Sequence, residues 1–323
     1  MTVLAKAKTE ILFLNKTMRS STQFFGLLTL VICSSCTIST DVHDVNRILI
    51  GVEEFTYKAE TKADIALESN VPVFYWADTD EVGIFPNQGG YQLGFSLAGQ
   101  GGKREATFNG GGWALRSDAA YSTYYPFHFE NKDPKKIPIS YLNQKQNGNN
   151  SLAHLGPYFF CATEPTTAEN GNVSFLLRNI GGTIWFAITV PDAATYTEIA
   201  LVTDEDLFTT AGTYDLKNFN LDITPTKTDK KISLALENVT TTESDQVINA
   251  YMMAAPFNVT DHPYKVFVRT NKGIYYSADL ASKNHILNKN DARKVTATVQ
   301  MSDGYNMGIG DWDNGGNIGG DAE

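Results

Sequence analysis

Apolar residues in this chain come in short runs, separated by clusters of Gly, Asn, Asp and Pro. No window holds an apolar repeat of 3.6 residues over a helix length. The runs that read as strands are residues 73–76, 82–85, 91–97, 106–115, 121–129, 173–180, 183–190, 198–202, 232–236, 247–253, 264–270, 274–280 and 295–301. Residues 183–190 alternate with period two, placing Ile184, Phe186, Ile188 and Val190 on one face. Trp185 falls on the other face with Ala187 and Thr189, which predicts cover on both sides. Asn271-Lys272-Gly273 reads as a hairpin turn, because Asn and Gly tolerate positive φ. Many short strands and no helix pattern predict an all-β chain packed as sandwiches or barrels.

The polar stretch 164–171 (EPTTAENG) is the expected seam between two domains, residues 45–165 and 171–302. Residues 303–323 form a Gly- and Asp-rich tail. Residues 132–150 are the most polar tract of the body and read as an exposed loop. A chain of 323 residues, 42% of them hydrophobic, can bury a core and is long enough for two domains. With 36 acidic against 26 basic residues the net charge is -10, which argues against a nucleic-acid partner.

Near the N-terminus, residues 24–33 (FFGLLTLVIC) are apolar but too short to cross a bilayer. They suit the apolar core of a signal peptide spanning residues 1–35, with Met18-Arg19 as the expected start. Cys36 follows the small residues Ser34 and Ser35, whereas Cys33 follows the bulky Ile32, so Cys36 is the expected lipidated residue. The alternative is an ordinary secretory signal with two incidental cysteines. A chain beginning at Cys36 has 288 residues, with residues 36–44 as a lipid-proximal linker. Its charge is -13, because residues 1–35 carry four basic and one acidic side chain.

Chemical motifs are weak. Gly99-Gln100-Gly101-Gly102-Lys103 lacks the first glycine and the Ser or Thr of a phosphate loop, and reads as a glycine-rich turn. No GxSxG or HExxH is present. His128, His154, His262 and His285 lack a nearby His or Cys, and Asp311-Trp312-Asp313-Asn314-Gly315 starts a calcium loop that lacks its later ligands. The expectation is no catalytic residue, no metal and no cofactor. Cys161, within an apolar run, reads as a small buried hydrophobe. The aromatic run Tyr121, Tyr124, Tyr125, Phe127 and Phe129 reads as core and interface, or else as a sugar-stacking platform.

Several segments together resemble the fimbrillin family of the Bacteroidales, subunits of surface fimbriae, and the lipoproteins related to them. They are the lipobox-like ending at Cys36, Tyr75-Trp76-Ala77-Asp78 with Val82-Gly83-Ile84-Phe85, and Tyr121-Ser122-Thr123-Tyr124-Tyr125-Pro126. The segments 175–186 (FLLRNIGGTIWF) and 266–276 (VFVRTNKGIYY) complete the likeness. The resemblance implies two transthyretin-like, Greek-key β-sandwich domains in tandem after a lipoprotein signal peptide. It also implies anchoring to the outer membrane, assembly with other fimbrial subunits and adhesion to a host or bacterial surface ligand.

In polymerising members a protease cuts after Arg or Lys near the N-terminus, and a strand from the next subunit fills the groove that opens. Here residues 48–57 (ILIGVEEFTY) are the best first strand, with Ile48, Ile50 and Val52 on one face. A cut after Arg47 leaves that strand in place, and a cut after Lys58 or Lys62 releases it. Tyr305, Met307 and Ile309 alternate as a candidate donor strand. The alternative reading is a non-polymerising surface lipoprotein that binds glycans.

Overall fold

The computed structural model describes residues 47–302, except 54–55, 58–66, 69–70, 100, 111–114, 118, 170–171, 221 and 281–285. In chain order the first strands are β1 (Arg47–Val52), β2 (Thr56–Tyr57), β3 (Leu67–Glu68), β4 (Val71–Pro72), β5 (Glu81–Pro86), β6 (Leu93–Leu97), β7 (Glu105–Asn109) and β8 (Ala120–Tyr125). Next come β9 (Ile137–Ser140), β10 (Lys145–Asn147), β11 (Cys161–Ala162), β12 (Thr166–Thr167), β13 (Asn172–Asn179), β14 (Gly182–Thr189), β15 (Thr195–Thr203) and β16 (Phe208–Tyr214). The last are β17 (Thr224–Asp229), β18 (Lys231–Thr240), β19 (Val247–Ala254), β20 (Phe257–Asn258), β21 (Tyr264–Thr270), β22 (Gly273–Ser277), β23 (Ile286–Leu287) and β24 (Asp291–Met301). A single 3₁₀ turn, Gly156–Tyr158, is the only helical element among the described residues. The chain is all-β, as its hydrophobic pattern predicts.

Two large sheets organise these strands. The first runs β11-β13-β1-β7-β6-β5-β8-β12, and β11 also pairs with β8, so it closes on itself. The second runs β10-β18-β15-β21-β22-β24-β14-β19, with β2 added beside β24. Strand β14 separates two apolar clusters. Its Ile184, Phe186 and Ile188 enter the second cluster, while Trp185 and Ala187 enter the first. The double cover predicted from its alternation is therefore present. Strand β13, which follows the polar seam, hydrogen-bonds into the first sheet beside β1.

Four segments depart from expectation. Residues 73–76 are not a strand, because the backbone of Trp76 bonds to the glycine turn instead, at Lys103 O and Gly102 N. The aromatic run stops pairing at Tyr125, before Pro126, which has no N–H to give a ladder. Strands β16 and β17 are rich in Thr with few large apolar residues, so they carry no apolar alternation to read. The largest difference lies in residues 132–150. Lys132, Lys135 and Lys136 are exposed as expected, but this tract also forms β9 and β10 and buries Ile137, Ile139, Tyr141, Gln144 and Gln146.

The two buried glutamines have a definite task. Strand β19 is the last of its sheet, so the N–H and C=O groups of residues 249, 251 and 253 point away from β14 and need partners. Gln144 donates to Met253 O at 2.6 Å and accepts from Met253 N at 2.8 Å. Gln146 donates to Asn249 O at 2.9 Å and accepts from Tyr251 N at 2.8 Å. Asn149 Oδ1 takes Asn249 N, and His154 Nε2 lies 2.8 Å from Tyr251 O. Each glutamine amide thus does what a peptide group of a neighbouring strand would do. The backbone of β10 meanwhile pairs with β18 at the opposite end, so one polar segment closes the sheet between its two outer strands.

Replacing Gln144 with Leu keeps the volume but strands both Met253 groups in a buried place. The expected cost is roughly 2–5 kcal/mol, read as a lowered urea midpoint, with the exposed neighbour Lys145→Ala near neutral. His154 adds a pH dependence. Its Nδ1 is buried without a partner, and burial lowers its pKa from 6.5 more than the bond to Tyr251 O raises it. Below 6.5 the unfolded chain binds a proton that the folded chain resists, so stability is lost as pH falls through that value. His154→Gln should flatten the stability slope between about pH 7 and pH 5.

Candidate functional site

Strand β1 begins the described chain and yet lies inside a sheet. It pairs parallel with β13, from Arg47 opposite Asn172 to Val52 opposite Leu177. On its other side it pairs antiparallel with β7, from Ile48 opposite Phe108 to Gly51 opposite Glu105. Ile48 and Ile50 are buried in the first core, and Val52 packs against it, so the alternation read from the sequence sets which face points inward. Burying two isoleucines contributes about 1.5–3 kcal/mol each. Taking β1 out would also leave two sheet edges unpaired.

A second set of contacts fastens β1 from inside. The indole Nε1 of Trp76 donates to Ile50 O at 3.1 Å. Trp76 is buried and packs edge-on against Phe74, Phe108 and Tyr125. The glycine-rich turn holds it from behind: Gly102 N donates to Trp76 O at 2.7 Å and Gly101 N to Asp78 Oδ1 at 2.7 Å. A Cβ at Gly101 would lie 2.9 Å from Asp78 N, so this position needs glycine for close approach and not for a phosphate. At the surface end Glu53 N donates to Leu177 O, and Arg178 forms an ion pair with Glu53. That pair is partly exposed and contributes little.

The chain then leaves the first sheet. β2 pairs with Asp291 and Ala292 of β24, in the second sheet. The first two strands are thus held in different sheets and joined by residues 53–55. Arg47 is the first residue of β1, and residues 48–57 contain no Lys or Arg. Lys58, Lys62, Cys36 and the candidate donor residues Tyr305, Met307 and Ile309 lie outside the described residues.

Other candidate residues have separate fates. Tyr121, Tyr124 and Tyr125 are buried, so the aromatic run is not a continuous sugar platform; only its end, Phe129, is well exposed. Cys161 is buried, and burial raises its thiol pKa well above the ordinary value, which leaves it inert as a nucleophile. It lies in the wall of a cavity of about 310 Å³, lined chiefly by Tyr124, Tyr125, Ile137, Ile139, Phe160 and Leu216. Sequence spacing gave no sign that Asp204, Glu205 and His262 meet, yet their ligand atoms lie within 4.8 Å of one another. The two acids are exposed and the three residues come from two separate loops, which no short motif encodes.

A putative cell adhesion protein from Bacteroides uniformis aligns over 70% of this chain and 90% of its own, with TM-score 0.52 and 13% identity. A second, from Bacteroides ovatus and of the same description, aligns over 79% of this chain and 95% of its own, with TM-score 0.50 and 11% identity. This chain shares the fold of those Bacteroides proteins. The likeness to fimbrillin-like surface proteins read from the sequence is borne out at that level. No protein-family model matches the chain, and no curated protein does. Among the described residues no helix is long and apolar enough to cross a membrane.

Trp76→Phe keeps the aromatic packing and removes the bond to Ile50 O. It should cost about 1 kcal/mol, and hydrogen exchange of the β1 amides should quicken by roughly fivefold. Unchanged β1 exchange would show that Trp76 does not fasten the strand.

Proposed function

We propose that this chain is a non-catalytic adhesive subunit of a bacterial surface fimbria, exported as a lipoprotein through Cys36 and assembled by donor-strand exchange at the β1 position. The observation that carries the reading is β1 itself. It is the first described strand, it is bonded on both sides, and its inward face holds Ile48 and Ile50. Its loss would open a slot with two unsatisfied edges and an apolar floor, which an extended strand of alternating apolar residues would refill. The fold shared with the two Bacteroides proteins supports a surface role.

In this reading, two sandwich domains, divided near residues 165–171 but with β13 returned to the first sheet and β2 and β10 contributed to the second, follow a lipid anchor in the outer membrane. The protease cuts after Lys58 or Lys62, since a cut after Arg47 leaves β1 whole. Tyr305, Met307 and Ile309 of the tail supply the donor strand to the next subunit, so the partners are other fimbrial subunits.

The test is limited digestion of the purified protein with a lysine-specific protease, with mass spectrometry to locate the cuts. Protein cut after Lys58 or Lys62 should form ladders on a detergent gel run without boiling. A Lys58→Gln/Lys62→Gln double variant should stay monomeric. Cut protein that keeps β1 bound and never forms ladders would contradict the assembly mechanism.

A further inference from the structure

Five large hydrophobic side chains are prominently exposed among the described residues, and two of them stand on loops of the first sheet that are hydrogen-bonded to one another. Tyr91, between β5 and β6, is 87% exposed, and Phe129, after β8, is 74% exposed. Their loops are tied together. Gln92, the neighbour of Tyr91, donates from Nε2 to His128 O at 2.9 Å and to Phe129 O at 3.0 Å. Its Oε1 accepts from Tyr124 OH at 2.7 Å, and that hydroxyl accepts from the buried Asn131 at 2.9 Å. Lys132 Nζ donates to Phe129 O at 2.8 Å and lies over the Phe129 ring, 4.2 Å from its centroid.

Apart from the Lys132 ammonium over one face of Phe129, neither ring is covered by the fold. The hydrogen bonds hold the Phe129 backbone, and the Lys132 contact lies on its ring, before any partner arrives, which lowers the entropy cost of binding. The surroundings limit the kind of partner. A stable protein interface needs about 800 Å² on each side with an apolar centre, whereas two aromatic rings offer about 150–250 Å² each. His128 and Glu130, both exposed, and Lys132 flank Phe129 with hydrogen-bonding groups. Flat rings for the C–H face of a pyranose, with polar groups for its hydroxyls, suit a short run of sugar.

We propose that Tyr91 and Phe129 form a carbohydrate-binding platform, on which pyranose rings stack while His128, Glu130 and Lys132 bond their hydroxyls. This rests on the adhesive reading above and names its ligand class. It moves sugar recognition from the buried tyrosines of the aromatic run to its exposed end and to a separate hairpin.

The test uses the full exported chain on a printed array of mammalian glycans and bacterial polysaccharides, followed by titration with the oligosaccharide that binds best. Tyr91→Ala and Phe129→Ala should each weaken binding by about tenfold, and the double variant should abolish it, with thermal unfolding unchanged. Silence across the array, or binding that survives the double variant, would overturn the platform. Ladder formation is read separately on the same variants: ladders with lost sugar binding support the platform, and sugar binding without ladders leaves it standing while removing the assembly mechanism.

Discussion

A strand bonded on both sides cannot leave its sheet without creating two bare edges, and the first half of this molecule is arranged around such a strand. β1 closes the ring that runs from β13 through β7, β6, β5 and β8 to β11. Because its described strands close on one another, the ring offers no edge for an added strand while β1 is in place. The same closure makes the vacancy strongly attractive once β1 is gone, since backbone groups and an apolar floor must be satisfied together. Trp76 couples the two demands: its indole reaches the β1 backbone from within the aromatic core, and the glycine turn sets its depth.

The second sheet meets the same constraint in another way. Among the described residues no strand pairs with the outer side of β19, and the side chains of Gln144, Gln146, Asn149 and His154 bond its backbone. One short polar segment serves two purposes, with its backbone on β18 and its amides on β19. A sheet closed by side chains that belong to the body of the chain has no exchangeable strand at that edge. The two sheets therefore differ in kind, and only the first is closed by a strand that sequence-local cleavage could free.

Period-two alternation made β1 and β14 legible in the sequence, together with the two-sided burial of β14, and short apolar runs marked β13 and β21. Alternation records which face is wet, and these strands have strongly apolar inward faces. Gln144 and Gln146 read as surface because a polar residue carries no mark of the partner that will satisfy it. Their partners are more than a hundred residues away. The glycine turn was legible as a turn, but its role behind Trp76 was not, because close approach is a property of the assembled fold. The exposed platform was only half legible: Phe129 stood in a visible aromatic run, while Tyr91 had no sequence neighbour to mark it.

Assembly as proposed requires that β1 be the strand given up. It is tested most directly by N-terminal sequencing of the protein recovered from filaments on its native cell surface. Release of β1 predicts a new terminus at Ala59 or Ala63, following Lys58 or Lys62. An acylated Cys36 terminus on filament subunits, with residues 48–57 still attached, would contradict it.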